Sequence, residues 1–144
     1  MIRAMTAADT DAVCGIEKTE FGDPWDHAAV SAELCKDYSR YLVYDQSGEV
    51  LGYAGLWCLY ETAELVRIAA ARKRQGIGGA LMAALTAAAR EAGCGRIMLE
   101  VRADNAPARA LYKKYGFAEI SVRRGYYGSG VDAVIMEKSL AVLF

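Results

Sequence analysis

Residues 71–81 read ARKRQGIGGAL. Three consecutive cations, Arg72, Lys73 and Arg74, and then Gln75 lead into Gly76, Ile77, Gly78 and Gly79. With Arg67, four cations fall within eight positions of a chain whose formal net charge is only -1. A strand that enters a glycine-rich turn ahead of a helix collects unpaired backbone N–H groups and the positive end of the helix dipole at one place, which suits a phosphate. Glycine lets the backbone approach such a ligand with no Cβ between. The plainer alternative is a helix start flanked by solvated cations, and spacing alone does not separate the two.

The kind of phosphate ligand can be narrowed. A nucleoside-triphosphate loop needs G-x-x-x-x-G-K followed by Ser or Thr, and no such lysine follows these glycines. A dinucleotide fingerprint is half present, because Leu81 stands where the third glycine of G-x-G-x-x-G belongs. Glu100, 21 residues beyond Gly79 (100 − 79), is near where a ribose-binding acid would fall. Only 44 residues follow Glu100 (144 − 100), and about 60 residues of hairpin-rich sequence precede the glycines. A doubly wound sheet has no room.

These residues need elements to position them. Thr6 and Asp9 are spaced as a capping box with Asp in place of Glu, predicting a helix to about Glu20. Asp26 is placed to cap a second helix with Val30 and Leu34 inside. Arg40–Asp45 and Val50–Tyr60 flank a turn at 46–49 as a hairpin should, and a strand near Glu64–Ala70 follows. Ile77, Leu81, Leu85 and Ala89 recur every four residues and Gly93 stands at a left-handed C-cap position, which predicts a helix. Ile97, Leu99 and Val101 alternate with Met98, Glu100 and Arg102 along a strand with two unlike faces. Residues 105–115 read as a helix with Pro107 in the first turn and Gly116 past the end. Two strands, near 117–126 and 132–139, close the chain. The expectation is an α/β fold with a mixed central sheet of about seven strands and about four helices, in one domain over residues 1–144.

The totals agree. The chain has 144 residues, 54% hydrophobic and 24% charged, the length and balance of one globular domain. A net charge near zero gives no reason to expect nucleic acid or an anionic membrane as a partner. Cys14, Cys35, Cys58 and Cys94 are at least 21 residues apart (35 − 14), so neither a CxxC pair nor a zinc cluster is expected, and buried free thiols are favoured. No metal is expected. The first residues lack an apolar signal core and no run of 18 apolar residues occurs, so the expected location is cytoplasmic.

Lys73-Arg74-Gln75-Gly76-Ile77-Gly78 between a strand and a helix resembles the signature Arg/Gln-x-x-Gly-x-Gly/Ala of the GNAT family of acetyl-CoA-dependent N-acetyltransferases, and the expected order of elements is also the family's. Within the family, LEVRADNAPARALYKKYGF, RRGYY and Asp23-Pro24-Trp25 resemble the bacterial ribosomal-protein-alanine N-acetyltransferases, the RimI group. Lys73 stands where the family has Arg or Gln, and the loop before Gly76 is shorter than is usual.

The resemblance implies acetyl-CoA as cosubstrate. Its pyrophosphate would lie on backbone N–H groups of Arg74, Gln75, Gly76, Ile77, Gly78 and Gly79, and its pantetheine arm along Ile68, Ala69 and Ala70. Asn105 matches a cofactor-contacting position, and on the residues alone it is equally an N-cap. Glu100 and Tyr112 match the general base and general acid. Without the resemblance, Glu100 reads as a strand acid paired to Arg96 or Arg102, and Tyr112 as a core contact. Trp25, Tyr126 and Tyr127 resemble the acceptor-binding residues, with aromatic packing as the alternative. No cysteine matches a catalytic position, so direct transfer is implied.

The expected function is therefore acetyl transfer to the N-terminal amine, an alanine, of a ribosomal or other protein. Acetylation of lysine or a small amine is the nearest alternative, and a non-catalytic acyl-CoA-binding module is one of another class. Oligomeric state is not legible in the sequence.

Overall fold

Seven strands form one mixed sheet in the spatial order β1-β2-β3-β4-β5-β7-β6. The structure, a computed structural model, describes residues 1–71, 76–126, 128 and 130–140. In chain order the elements are β1 (Ile2–Ala4), a 3-10 turn (Ala7–Asp9), α1 (Thr10–Glu20), α2 (His27–Leu34), β2 (Ser39–Gln46), β3 (Glu49–Leu59), β4 (Thr62–Ala70), α3 (Ile77–Glu91), β5 (Arg96–Arg102), α4 (Ala106–Lys114), β6 (Ala118–Arg123) and β7 (Ala133–Ser139). The expected succession of strands and helices is the one found, with most bounds moved by a residue or two and those at the start of the first helix and the end of β6 by three.

Local chemistry explains most boundaries. Asp26 accepts a hydrogen bond from the Ala29 N–H at 2.8 Å, capping α2, and Asn105 does the same for Ala108 at 3.2 Å on α4. The β2–β3 hairpin turns through Ser47 and Gly48, both at positive φ (53° and 91°), the geometry that matches the strands' right-handed twist.

The two faces carry separate cores. Ile77, Leu81, Leu85 and Ala89 of α3 pack with Leu51, Ala54, Leu56, Leu65, Ile97, Leu99 and Met136 on one face. Val13 and Ile16 of α1 and Val30 of α2 pack with Tyr41, Val43, Tyr53 and Ala69 on the other. Covered from both sides, β3 is buried at every position from Leu51 to Leu56, as a central strand between two helical layers must be. Of the four cysteines, all free, Cys14 and Cys94 are buried as expected, whereas Cys58 is half-buried and Cys35 is exposed at the end of α2.

One feature of the sheet positions the site. Among the described residues the one parallel ladder, between β4 and β5, runs from Thr62↔Arg96 to Glu64↔Met98. Beyond it β4 continues against β3 as far as Ala70↔Gly52, and β5 against β7 as far as Arg102↔Ala133. The two strands part, so residues 65–70 and 99–101 have, among the described residues, no strand partner on the side of the gap between them. Free edges of this kind hold N–H and C=O groups that a ligand can bond.

Candidate functional site

On the α3 side, the gap meets the start of the glycine-opened helix. Gly76 caps α3 with φ 75°, a left-handed conformation that glycine adopts without strain. A Cβ on Gly78 would stand 3.3 Å from the Tyr115 hydroxyl oxygen, so the first turn of α3 lies close under Tyr115. Ile68 and Ala70 pack against the α3-side core, while Ala69 is buried on the α1 side. The expected cofactor residues Arg74 and Gln75, with Arg72 and Lys73, lie outside the described residues. Asn105 is the N-cap of α4.

Arg67 corrects the charge reading. Strand alternation turns Arg67 and Ala69 toward α1, and Ile68 and Ala70 toward α3, so Arg67 does not join the cations near the glycines. Its Nη2 donates to Glu17 Oε1 at 3.1 Å.

Glu100 lies on β5 just past the point where β4 departs. Leu99 and Val101 are buried in the α3-side core, so Glu100 faces the other way, into a cavity of about 220 Å³ lined by Leu59, Glu64, Met98, Arg123 and Ile135 among others. It pairs with Arg123, Nη1 to Oε1 3.3 Å. The expected partners are engaged elsewhere, Arg96 with Glu137 and Arg102 with Asp104.

Tyr112 lies on α4 and packs against the α3-side core, its ring edge-on to Phe117 with centroids 5.9 Å apart. Burial, and then the neighbouring Tyr115, push its phenol above the ordinary value of 10.0. The proton stays on at neutral pH. Glu100 and Tyr112 thus lie on opposite faces of the sheet.

The expected acceptor residues fall into two groups. Tyr126 is exposed, with the Arg123 guanidinium 5.7 Å from its ring centre. Trp25, in the connection between α1 and α2, is half-buried beside Arg67, whose guanidinium carbon lies 4.5 Å from the indole centre. Tyr127 lies outside the described residues.

Two buried carboxylates escaped the sequence reading. Glu17 of α1 accepts from the Trp25 N–H at 2.8 Å and from the Tyr53 hydroxyl. Glu33 of α2 accepts from Trp57 Nε1 at 2.8 Å, from the Tyr41 hydroxyl and from Lys36. Burial alone would raise the Glu33 carboxyl, yet the bonds from Lys36, Tyr41 and Trp57 outweigh it and hold it below its ordinary value. The signal was an acid within an apolar helix stripe, Val13-Cys14-Ile16-Glu17 and Val30-Glu33-Leu34. Among the described residues no group of three or more His, Cys, Asp or Glu side chains could hold a metal, and no helix is long and apolar enough to cross a membrane.

Comparison with known proteins accounts for this frame. The acetyltransferase (GNAT) family pattern matches residues 10–117. The N-alpha-acetyltransferase RimI of Mycobacterium tuberculosis is 36% identical over 146 residues, covering 95% of this chain and 90% of that protein. The ribosomal protein bS18-alanine N-acetyltransferase of Escherichia coli is 32% identical over 140 residues, 94% of each chain. The crystal structure of the ribosomal-protein-S18-alanine N-acetyltransferase from Escherichia coli matches with a TM-score of 0.88 at 30% identity, over 100% of this chain and 96% of that one. An aminoglycoside 6'-N-acetyltransferase from Enterococcus faecium shares the fold at a TM-score of 0.89 but only 14% identity, over 100% of this chain and 99% of that one. By family pattern, by identity along nearly its whole length and by the seven-stranded sheet, this chain belongs to the GNAT family of N-acetyltransferases.

Proposed function

We propose that the chain is an acetyl-CoA-dependent N-alpha-acetyltransferase, acting as one domain, that acetylates the N-terminal alanine of a ribosomal protein by direct transfer. The observation that carries this reading is the parting of β4 and β5, with Glu100 on one face of the gap and the glycine-opened start of α3 on the other. The 32% and 36% identity to enzymes named for N-terminal acetylation favours an α-amine over other acceptors.

The residues fit the cosubstrate. Gly76, in its left-handed conformation, Gly78 and Gly79 add no side chain of their own at the start of α3, so Gly76, Ile77, Gly78 and Gly79, with Arg74 and Gln75 before them, would hold the pyrophosphate. The free edge at Ile68, Ala69 and Ala70 would bond the amide-bearing pantetheine arm. Asn105 would contact the cofactor while capping α4. Acetyl-CoA supplies an acetyl group activated as a thioester.

Glu100 takes the proton that the acceptor's ammonium must lose before its nitrogen can bond the acetyl carbon. Tyr112 gives a proton to the sulfur as the carbon–sulfur bond breaks, which leaves a free thiol and an amide. An α-amine with a pKa near 7.7–8.0 is already about a tenth to a fifth neutral at pH 7, against fewer than about one lysine in a thousand. The demand on Glu100 is therefore small for an N-terminus. Trp25, Tyr126 and Tyr127 would form the acceptor walls.

The test is incubation with acetyl-CoA and peptides differing only at the first residue, read by thiol release and mass. Acetylation of an alanine-first peptide, and none once its amine is blocked, supports the reading. Turnover only on lysine or small amines overturns the acceptor, and acetyl-CoA binding without turnover overturns the enzyme.

A further inference from the structure

Glu17 stands mid-helix in α1 with none of its side chain exposed. A carboxylate so placed must be paired and bonded, and its donors converge from three elements: the Trp25 N–H, the Tyr53 hydroxyl on β3 and Arg67 Nη2 on β4. The same Arg67 Nη2 reaches the Asp23 carbonyl at 3.4 Å. The Arg67 guanidinium carbon lies 4.1 Å from the Phe21 ring centre and 4.5 Å from that of Trp25. The connection between α1 and α2 thus gives two rings, one carbonyl and one amide to a single pair, Arg67 with Glu17.

Stability is a poor reason to keep that pair. Buried ion pairs are commonly matched or bettered by apolar side chains of similar volume. Arg67 Nε is moreover buried with no hydrogen-bond partner, the one such side-chain atom among the described residues, and an unmet buried donor is a cost. Position offers a better reason. Arg67 precedes Ile68, Ala69 and Ala70, and strand alternation sends its side chain to the face that Glu100 shares while Ile68 and Ala70 face α3.

We propose that Arg67 is a positioning residue for the acceptor. Braced on Glu17, it covers one face of the Trp25 indole and fixes the connection from Phe21 to Asp26 as a wall of the groove, so that the strand edge receiving acetyl-CoA also sets where the acceptor peptide lies. This rests on the reading of Trp25 as an acceptor wall. Lysine cannot replace it in full, since an ammonium lacks the flat fork that stacks on two rings while bonding a carboxylate.

The test uses the full chain with Arg67→Lys, which keeps a cation beside Glu17, and Arg67→Met as the harsher variant. Peptide KM, acetyl-CoA KM, kcat and Tm are measured on each. Trp25 is watched by acrylamide quenching in a Trp57→Phe background, which leaves Trp25 as the single tryptophan. For Arg67→Lys we expect peptide KM to rise about tenfold, within what small misplacements cost, with acetyl-CoA KM changed less than twofold and Trp25 more readily quenched. A peptide KM that does not move, or both KM values rising together with a fall in Tm, overturns the proposal. Should the unaltered chain acetylate no peptide, the acceptor assignment fails by itself. The quenching then decides for Arg67: greater access to Trp25 in Arg67→Lys supports the brace, and equal access overturns it.

Discussion

Arg123 on β6 holds its Nη1 3.3 Å from Glu100 Oε1 on β5, and its guanidinium lies 5.7 Å from the Tyr126 ring centre. One cation therefore touches both the proposed base and one of the three proposed acceptor-wall residues. Its side chain is 58% exposed, and exposed ion pairs contribute about 0–1 kcal/mol. Arg123→Gln should lower kcat/KM for peptide by no more than about fivefold, the equivalent of ~1 kcal/mol, and leave acetyl-CoA binding unchanged. Steady-state kinetics checks this, and a hundredfold loss would mean that Arg123 binds the acceptor directly.

Removing the base should matter less as the acceptor loses its proton unaided. Glu100→Gln should impair kcat/KM most near pH 7 and progressively less toward pH 9, where an α-amine of pKa about 7.7–8.0 is mostly neutral. Parallel pH–rate profiles of the two proteins on an alanine-first peptide measure this. A defect of constant size would assign Glu100 a binding role instead.

For Tyr112, burial first and Tyr115 second raise the phenol above 10.0, so the proton-donating form persists at least to pH 10. Tyr112→Phe keeps the ring against Phe117 and loses only the hydroxyl. We expect kcat to fall on the order of a hundredfold, the low end of acid–base contributions, with acetyl-CoA affinity within about twofold and Tm little changed. Stopped-time assays and calorimetry provide the readings, and unchanged turnover would make Tyr112 a packing residue.

The stability profile follows from the buried acids and phenols. Glu33 lies below its ordinary 4.5 when folded, burial being outweighed by Lys36, Tyr41 and Trp57. Asp9 lies below 3.8, chiefly through Arg3. A carboxyl depressed in the folded state contributes stability above its unfolded pKa and loses it as pH falls through the folded value. Tyr41 and Tyr53 are raised, by burial first and then by Glu33 and Glu17 respectively, so the unfolded chain alone ionises them above about pH 10. Tm should be flat between about pH 5 and 9.5, and should fall below about 4.5 and above about 10. Glu33→Gln, measured by thermal unfolding across pH, should flatten the acid limb.

The frame was legible because period, caps and turns are local. Ile77, Leu81, Leu85 and Ala89 mark α3, Asp26 and Asn105 mark two helix starts, and Ser47-Gly48 marks a hairpin. The parting of β4 and β5 was not, because where the ladder stops, after Glu64↔Met98, is a relation between segments 34 residues apart (98 − 64) and not a local pattern. Arg67 misled for a related reason. Its neighbours in sequence are cations ahead of the glycines, but alternation along β4 puts it against Glu17, 50 residues back. Glu100 and Tyr112 could be named only through motif resemblance, since an acid on an alternating strand and a tyrosine on an amphipathic helix are ordinary residues in ordinary places.

At Gly78 the helix and the cosubstrate tolerate the same small side chain. It is the second residue of α3, and alanine is favoured over glycine within helices by about 1 kcal/mol, less near an end. An added Cβ would lie 3.3 Å from the Tyr115 hydroxyl oxygen, which has to give by a few tenths of an ångström, and the hydroxyl is the far end of a side chain that can. Gly78→Ala should therefore fold with an unchanged or slightly raised Tm. The signature that residues 73–78 resemble takes Gly or Ala at this position, so acetyl-CoA affinity should stay within about twofold of the parent's. Peptide KM measured at saturating acetyl-CoA should barely change. Titration calorimetry with CoA beside thermal unfolding reads both quantities, and a variant that bound CoA about tenfold more weakly would mean that position 78 needs glycine and that the resemblance to the signature fails there.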